Sequence, residues 1–391
     1  MYHPFQRLRR IGHLGNLYVA NFLLSFHLFF VVYINSSFLN QFTPERFIGA
    51  IYIIASLLGI LSLFAIAYLL TRFGNYRLMV FFTALQIAFF LSFAFLKNTS
   101  FIIPLFILYL VNYPLILYTL DIFLESSTTT ENTTGSIRGT YLTITNTALI
   151  LAPLVAGLMI ADSDFWKVYF AASLFLIPFL FIMRDFKNFE DPPYHKLKLW
   201  SILSCIFHNK NIYNIMMAQF VMRIFFSWMV IYMPIYLISR IGFSWAEFGI
   251  MTFIVLIPFA LFELPAGKIA DRYLGEKELL SLGFFIAALF TVFLSFIETN
   301  NFVFWAAVLF TIRIGVSLVE IMTESYFFKH VSSNDNNTIS FFRMMRPAAY
   351  IAGPIIATIA LTFLDFKFIW IILGFILLYG LRFSFAIQDT R

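Results

Sequence analysis

The chain has 391 residues, 61% of them hydrophobic and only 12% charged, with a formal net charge of +6 and a mean hydropathy of +0.86. Soluble domains carry about 25% charged residues, so a soluble globular protein is excluded. Apolar runs long enough to cross ~30 Å of hydrocarbon recur along the whole length. The lone Cys205 excludes an intramolecular disulfide, and no Cys/His cluster with metal-ligand spacing occurs. The basic balance reads as membrane topology rather than nucleic-acid binding, and the 53 phenylalanines read as lipid-facing and packing bulk.

In chain order, Arg7-Leu8-Arg9-Arg10 precedes the first apolar run without a small-residue cleavage site. This predicts a retained first helix with a cytoplasmic N-terminus, not a signal peptide. Hydropathy then predicts twelve spans, over about 13–36, 45–70, 76–97, 101–124, 138–161 and 166–184, then 212–239, 245–270, 278–297, 302–325, 340–364 and 367–388. The connector 185–211, with Asp191-Pro192-Pro193, His195, Lys196 and Lys198, separates an N-terminal six-helix bundle (1–184) from a C-terminal one (212–391). With both termini cytoplasmic, inner segments hold 19 of the 26 Lys and Arg, and the outer loops hold five: Arg46, Lys97, Lys167, Arg240 and Lys367. Arg223 and Arg313 fall within spans. That bias supports the orientation, and the loops leave no room for a soluble catalytic domain.

The turn between the eighth and ninth spans reads Glu263-Leu-Pro-Ala-Gly267-Lys-Ile-Ala-Asp271-Arg272-Tyr-Leu-Gly275-Glu-Lys277. Glycine lets helices approach closely, an aspartate suits the positive N-terminus of a neighbouring helix, and the basic residues mark the cytoplasmic side. A worn copy lies 200 positions earlier, Ala67-Tyr-Leu-Leu-Thr71-Arg72-Phe-Gly74-Asn-Tyr-Arg77. The halves match elsewhere too. The fourth span ends with Asp121 and Glu125 and the tenth with Glu320 and Glu324, each pair four residues apart on one helix face. Ala152-Pro153-x-x-Ala156-Gly157 in the fifth span has a counterpart in Gly353-Pro354 of the eleventh.

This ensemble resembles the major facilitator superfamily, whose signature loop follows the second helix and again the eighth. Gly275 comes one residue later than in the family's loop, and the first copy lacks the leading glycine and the aspartate. The resemblance covers essentially the whole chain. It implies an all-α polytopic membrane protein of twelve transmembrane helices in two six-helix pseudo-symmetric halves, a transporter working by alternating access.

Charges inside a membrane are functional candidates by default. The resemblance implies an inner gate of salt bridges in which Asp121, Glu125, Glu320 and Glu324 meet Arg72, Arg77, Arg138, Arg272, Arg343 and Arg346, with Gly267 and Asp271 completing the loop. The alternative is a set of solvated helix-end charges. Arg223 and Arg313 each lie about eleven residues into a span, near the midplane at 1.5 Å per residue. An Arg fork suits a carboxylate or phosphate, so one reading is an anionic group on the substrate. The other is internal pairing, of Arg313 with Glu320 or with Glu263. Asn21, His27, Asn112, Tyr113, Trp228 and Tyr232 lie on the helices that line the cavity in the family and are substrate-binding candidates. A lone helical histidine such as His27 is also a packing group, and Gln86, Asn146 and Gln219 suit helix–helix hydrogen bonds. Glu263, Asp121 and Glu320 are the candidates for proton coupling.

No Gly-x-x-x-x-Gly-Lys-Ser/Thr loop occurs, and no nucleophile–base arrangement stands out. Neither a cofactor nor a metal is expected, and the chain is not read as an enzyme. The reading is secondary active transport of a small organic solute, with an anionic solute and proton coupling as the finer expectations. The rivals are a multidrug/proton antiporter, for which the fifth-span proline-glycine stretch speaks, and a non-transporting sensor or lipid-handling protein on the same fold. The expected partners are a small-molecule substrate, the lipid bilayer and protons, for a monomer in a cell membrane.

Overall fold

A computed structural model of the chain describes residues 4–96, 99–127, 131–160, 164–194, 209–270, 275–331 and 336–388. Within these, the side chains of residues 4–13, 99, 127, 131–136, 260, 263–264, 267–268, 336–337 and 339–340 are left out of the description.

The polypeptide is all helical among the described residues. The first half runs α1 (Pro4–Val32), a short α2 (Asn35–Asn40), α3 (Glu45–Phe73), α4 (Asn75–Phe95), α5 (Thr99–Ser127), α6 (Glu131–Met159) and α7 (Phe165–Met183). The second runs α8 (Lys210–Ile231), α9 (Trp245–Ile269), α10 (Glu276–Phe293), α11 (Phe302–His330), α12 (Asn336–Phe363) and α13 (Ile369–Ala386). A one-turn helix with Pro234 and a π-helical turn, Tyr236–Ile241, prolong α8 so that its span reaches Ile241. Eleven helices among the described residues are long and apolar enough to cross a membrane. Helix α9, at 25 residues, carries the remaining predicted span, with a described apolar stretch over Trp245–Phe259. In lipid a lone segment satisfies its backbone by intrahelical bonding, which is why the long apolar runs among the described residues close into helices. Prolines inside α5, α6, α7, α9 and α12 are carried within this frame.

The first predicted span stops earlier than hydropathy suggests, at Val32. The polar Asn35 turns inward there, donating to Tyr109 Oη at 3.0 Å and accepting from Tyr169 Oη at 2.8 Å.

The chain forms two compact units. One comprises Met1–Phe38 and Leu57–Lys196, the other Leu39–Ser56 and Leu197–Arg391. The predicted division at the connector therefore acquires an exchange, because the first part of α3 groups with the second unit. Glu45 meets Arg240 there at 2.6 Å, and Gly49 lies against Tyr232, Pro354 and Thr358.

Each unit has its own interior. In the first, Leu17, Leu24, Met79, Phe82, Leu120, Phe123, Leu176 and Phe179 are buried together. In the second, α10 and α11 touch backbone to backbone. A Cβ on Gly283 would stand 2.7 Å from the Gly315 carbonyl oxygen, and a Cβ on Gly315 equally close to that of Gly283. Large apolar side chains such as Leu61, Phe95, Phe101, Val303 and Phe375 stand exposed on the outer faces, where acyl chains are the solvent. The turns leading into α4 and α10 share one device: Gly74 and Gly275 adopt φ of 81° and 82°, a left-handed backbone that glycine alone enters without strain.

Candidate functional site

The second unit holds a charged cluster deep within its helices. Arg223 lies about 20 Å along α8 from Lys210, and Glu320 about 15 Å along α11 from His330, at 1.5 Å per residue. The two meet across the helix pair, Arg223 Nη1 standing 3.2 Å from Glu320 Oε1, with side chains 19% and 13% exposed. Glu324, one turn further along α11, is 3.8 Å from Nη2 and half exposed. Gln219, one turn before Arg223, completes the clamp. With its amide oriented to satisfy both neighbours, its nitrogen donates to Thr323 Oγ1 at 2.9 Å. Its oxygen accepts from Arg223 Nε at 3.1 Å and Nη2 at 2.9 Å. The planar guanidinium is thereby held by three side chains, a rigidity that its fork geometry favours.

Arg313 is treated differently. It is 7% exposed, and its guanidinium lies 4.9 Å from the ring centroid of Phe226 and 5.1 Å from that of Phe259. The Phe226 ring also faces Arg223 at 5.6 Å, so one phenyl ring serves both cations. Arg–ring stacking of this kind contributes about 0.5–2 kcal/mol, more as water is excluded. Of the internal pairings expected for Arg313, the Glu320 one goes to Arg223 instead. Seven residues separate Arg313 from Glu320, roughly 10 Å along one helix, too far for an ion pair.

The first unit carries two polar networks. His27 is buried between Ala172 O, 2.8 Å from Nδ1, and the Gln86 amide nitrogen, 3.2 Å from Nε2. A carbonyl only accepts, so the ring proton sits on Nδ1 and the amide donates to Nε2. Gln86 Oε1 accepts from Asn112 Nδ2 at 2.9 Å, and the same nitrogen reaches Phe82 O. The Phe90 ring stacks on the imidazole at 4.5 Å. Separately, Asn21 donates to Tyr141 O and Thr145 Oγ1, both at 2.9 Å, and accepts from Ser25. His27, Asn112 and Asn21 are thus engaged in packing bonds inside their own bundle. Tyr113 is half-buried. In the second unit Trp228 and Tyr232 are fully buried, with rings 5.9 Å apart, and the indole nitrogen donates to Gly353 O at 2.8 Å.

The residues expected to form a gate fall as follows. Arg138 and Glu125 pair at 3.2 Å within the first unit, both well exposed. Arg72 is exposed, bonded to Tyr68 Oη and set over the Phe73 ring. Arg77, Arg343 and Arg346 are exposed, and Asp121 is half-buried. Glu320 and Glu324, expected to meet signature-loop arginines, pair with Arg223 of their own unit. Gly267 and Glu263 belong to α9, with side chains outside the description, and Asp271 and Arg272 lie outside the described residues. Of the expected proton carriers, Glu320 therefore sits in the buried ion pair.

Reading the sequence alone misses Phe226, Phe259 and Thr323 and leaves Gln219 as a generic helix bond. Spacing carried a signal: Gln219 and Phe226 stand four before and three after Arg223, and Thr323 three after Glu320, each on the face of the charge it serves.

Residues 215–387 match the family model of the Major Facilitator Superfamily. Among solved structures, the crystal structure of the nucleoside transporter NupG matches 96% of this chain and 100% of its own, with a TM-score of 0.72 and 16% sequence identity. No curated protein sequence matches the chain.

Proposed function

We propose that this chain, whose residues 215–387 match the Major Facilitator Superfamily model, is a member of that family and carries out proton-coupled secondary transport of a small polar solute without net charge. The observation that carries this reading is the Arg223–Glu320 pair. A carboxylate paired with an arginine well inside membrane helices gives a proton a place to act, because neutralising the acid removes the charge that holds the arginine. Taking up a proton at Glu320 removes the closer of the two carboxylate charges on Arg223, and returning it restores the pair. A cycle of this kind links a proton to a rearrangement of α8 against α11.

The same geometry weighs against an anionic solute. Arg223 is already claimed by two carboxylates and an amide. A neutral, hydrogen-bonding solute is the reading that remains, and a nucleoside is the first to test, since the similar fold of NupG belongs to a nucleoside transporter. The orientation that goes with this reading places both termini in the cytoplasm of a cell whose outer boundary is this membrane, with the protein working as a monomer.

The test is uptake of radiolabelled uridine and adenosine into proteoliposomes under an imposed pH gradient, with an organic anion and a lipophilic cation in parallel. The wild type should accumulate the neutral solute against its gradient. Glu320→Gln should lose that accumulation while keeping solute exchange at equal pH. Accumulation in Glu320→Gln equal to the wild type would remove Glu320 from coupling. Uptake of the anion alone, abolished by Arg313→Gln, would return the anionic reading, and uptake of the cation alone would favour a drug exporter.

A further inference from the structure

The turns that lead into α4 and α10 are built alike, with a glycine of positive φ followed by the first helical residue, yet they acquire negative charge by different routes. In the second unit the first residue of α10 is Glu276. It is 1% exposed, pairs with Lys329 and accepts from Ser325 Oγ, both on α11. In the first unit the equivalent residue is neutral. Asn75 is fully buried and gives its side-chain amide to Thr119 O of α5 at 2.9 Å. The loop before it offers no acid either, since Thr71 stands where the second copy has Asp271.

The missing carboxylate arrives from 116 residues away. Asp191 Oδ1 accepts from the Asn75 backbone N–H at 2.8 Å, one of the four amides that a helix start leaves without an intrahelical partner. Its Oδ2 fills the space that a Cβ on Gly74 would need, at 2.7 Å. Tyr194 Oη donates to Asp191 Oδ1 at 2.6 Å and its ring packs on the first unit's core, as does that of Phe189. Phe123 of α5 meets Phe186 at 5.1 Å and Phe189 at 4.7 Å between ring centroids. Asp185 accepts from Asn16 of α1 at 2.5 Å. The segment from 184 to 194 is therefore anchored to α1, α4 and α5 by side chains of its own.

We propose that this start of the connector is a strap that fastens the ends of α1, α4 and α5 into one body, with Asp191 supplying to α4 the acid that its own loop lacks. An anion at a helix start is favoured by the helix dipole and, hydrogen-bonded, replaces the capping side chain that Gly74 cannot provide. The strap follows this end of the first bundle in any conformational cycle. This holds whatever the solute.

Hydrogen exchange read by mass spectrometry on the full chain in lipid nanodiscs tests it. Asp191→Asn keeps the shape and removes the charge. It should speed exchange about tenfold in peptides covering the first turn of α4 and, together with them, in peptides covering residues 184–194. The first turn of α10, with its own Glu276, is the internal control and should not change. Tyr194→Phe, which retains the packed ring, should show a smaller rise in the same two places, and it serves as the test if Asp191→Asn fails to fold. An unchanged first turn of α4 in the folded variant overturns the proposal. So does an equal rise in α10, which would mark a general loosening.

Discussion

Removing one member of the Arg223–Glu320 pair should destabilise the protein more than removing both. At 3.2 Å and an effective dielectric constant of about 20, the direct attraction is about 5 kcal/mol. Desolvation of the two groups offsets much of it. What a single truncation exposes is the charge left behind, and for buried pairs this is about 3–5 kcal/mol. With side chains 19% and 13% exposed, some water reaches both groups, so the lower end, about 3 kcal/mol, applies. The two truncations are not equivalent. Glu320→Gln leaves Arg223 with Gln219 and with Glu324 at 3.8 Å, whereas Arg223→Gln leaves Glu320 beside a neutral side chain. Arg223→Gln should therefore cost more. In a cooperative unit of this size, about 3 kcal/mol corresponds to roughly 6–12 °C in Tm. The assay is a double-mutant cycle on purified protein in one detergent, read by intrinsic tryptophan fluorescence on heating. The double variant should lie within about 1 kcal/mol of the wild type, so that two single losses of about 3 kcal/mol give a coupling energy of about 5 kcal/mol. Single effects that simply add would refute the pairing and, with it, the reasoning that Glu320 is held as a carboxylate by Arg223.

Three further outcomes follow from packing. Gly283→Val drives a side chain into the Gly315 carbonyl, where backbone has nowhere to move, and should lower Tm by an amount equivalent to at least 1–3 kcal/mol or prevent folding, while Leu282→Val on the exposed face of the same helix should be silent. Gln86→Leu strips His27 and Asn112 of one partner each and should cost about 1–3 kcal/mol in thermal scans; an unchanged Tm would show that the network does not stabilise the first unit. Gly49→Leu cannot coexist with Tyr232 and Pro354 in their present places, so it should release the start of α3 from the second unit and show faster hydrogen exchange there, whereas Glu45→Gln, losing a pair whose arginine is 53% exposed, should shift Tm by no more than a degree or two.

Much of the fold was written in hydropathy. A helix of about 20 apolar residues is the cheapest way to satisfy a backbone in lipid, so helix ends follow composition: α3, α9 and α11 begin where their spans were expected. The repeat was legible for a related reason, since the glycine turns at Gly74 and Gly275 need a left-handed backbone that few residues tolerate. Partner choice was not legible. Glu320 reads as the natural mate of Arg313 because both lie on α11, seven residues apart, but a helix keeps such residues about 10 Å apart along its axis. The true mate comes from α8, and only the packing of the two helices decides that. His27, Asn21 and Asn112 illustrate the same gap. A polar residue in a membrane helix announces that it needs a partner without saying whether that partner is a solute or the next helix, and here the described partners are all helices.

The two halves also show why a worn motif need not mean a lost function. Thr71 and Asn75 carry no charge where the second copy has Asp271 and Glu276, and taken alone they would leave the start of α4 without an acid. The structural requirement at that point is an anion near unpaired amides, not an aspartate at one position in the chain. Asp191 meets it from the connector, at 2.8 Å. A repeat whose first copy has passed this duty to a distant segment has lost its independence from that segment. In the second copy Glu276 keeps the duty inside its own bundle, bonded to α11. Substitutions in the connector should then disturb the first bundle and spare the second, an asymmetry that the near-symmetry of the helices would not suggest.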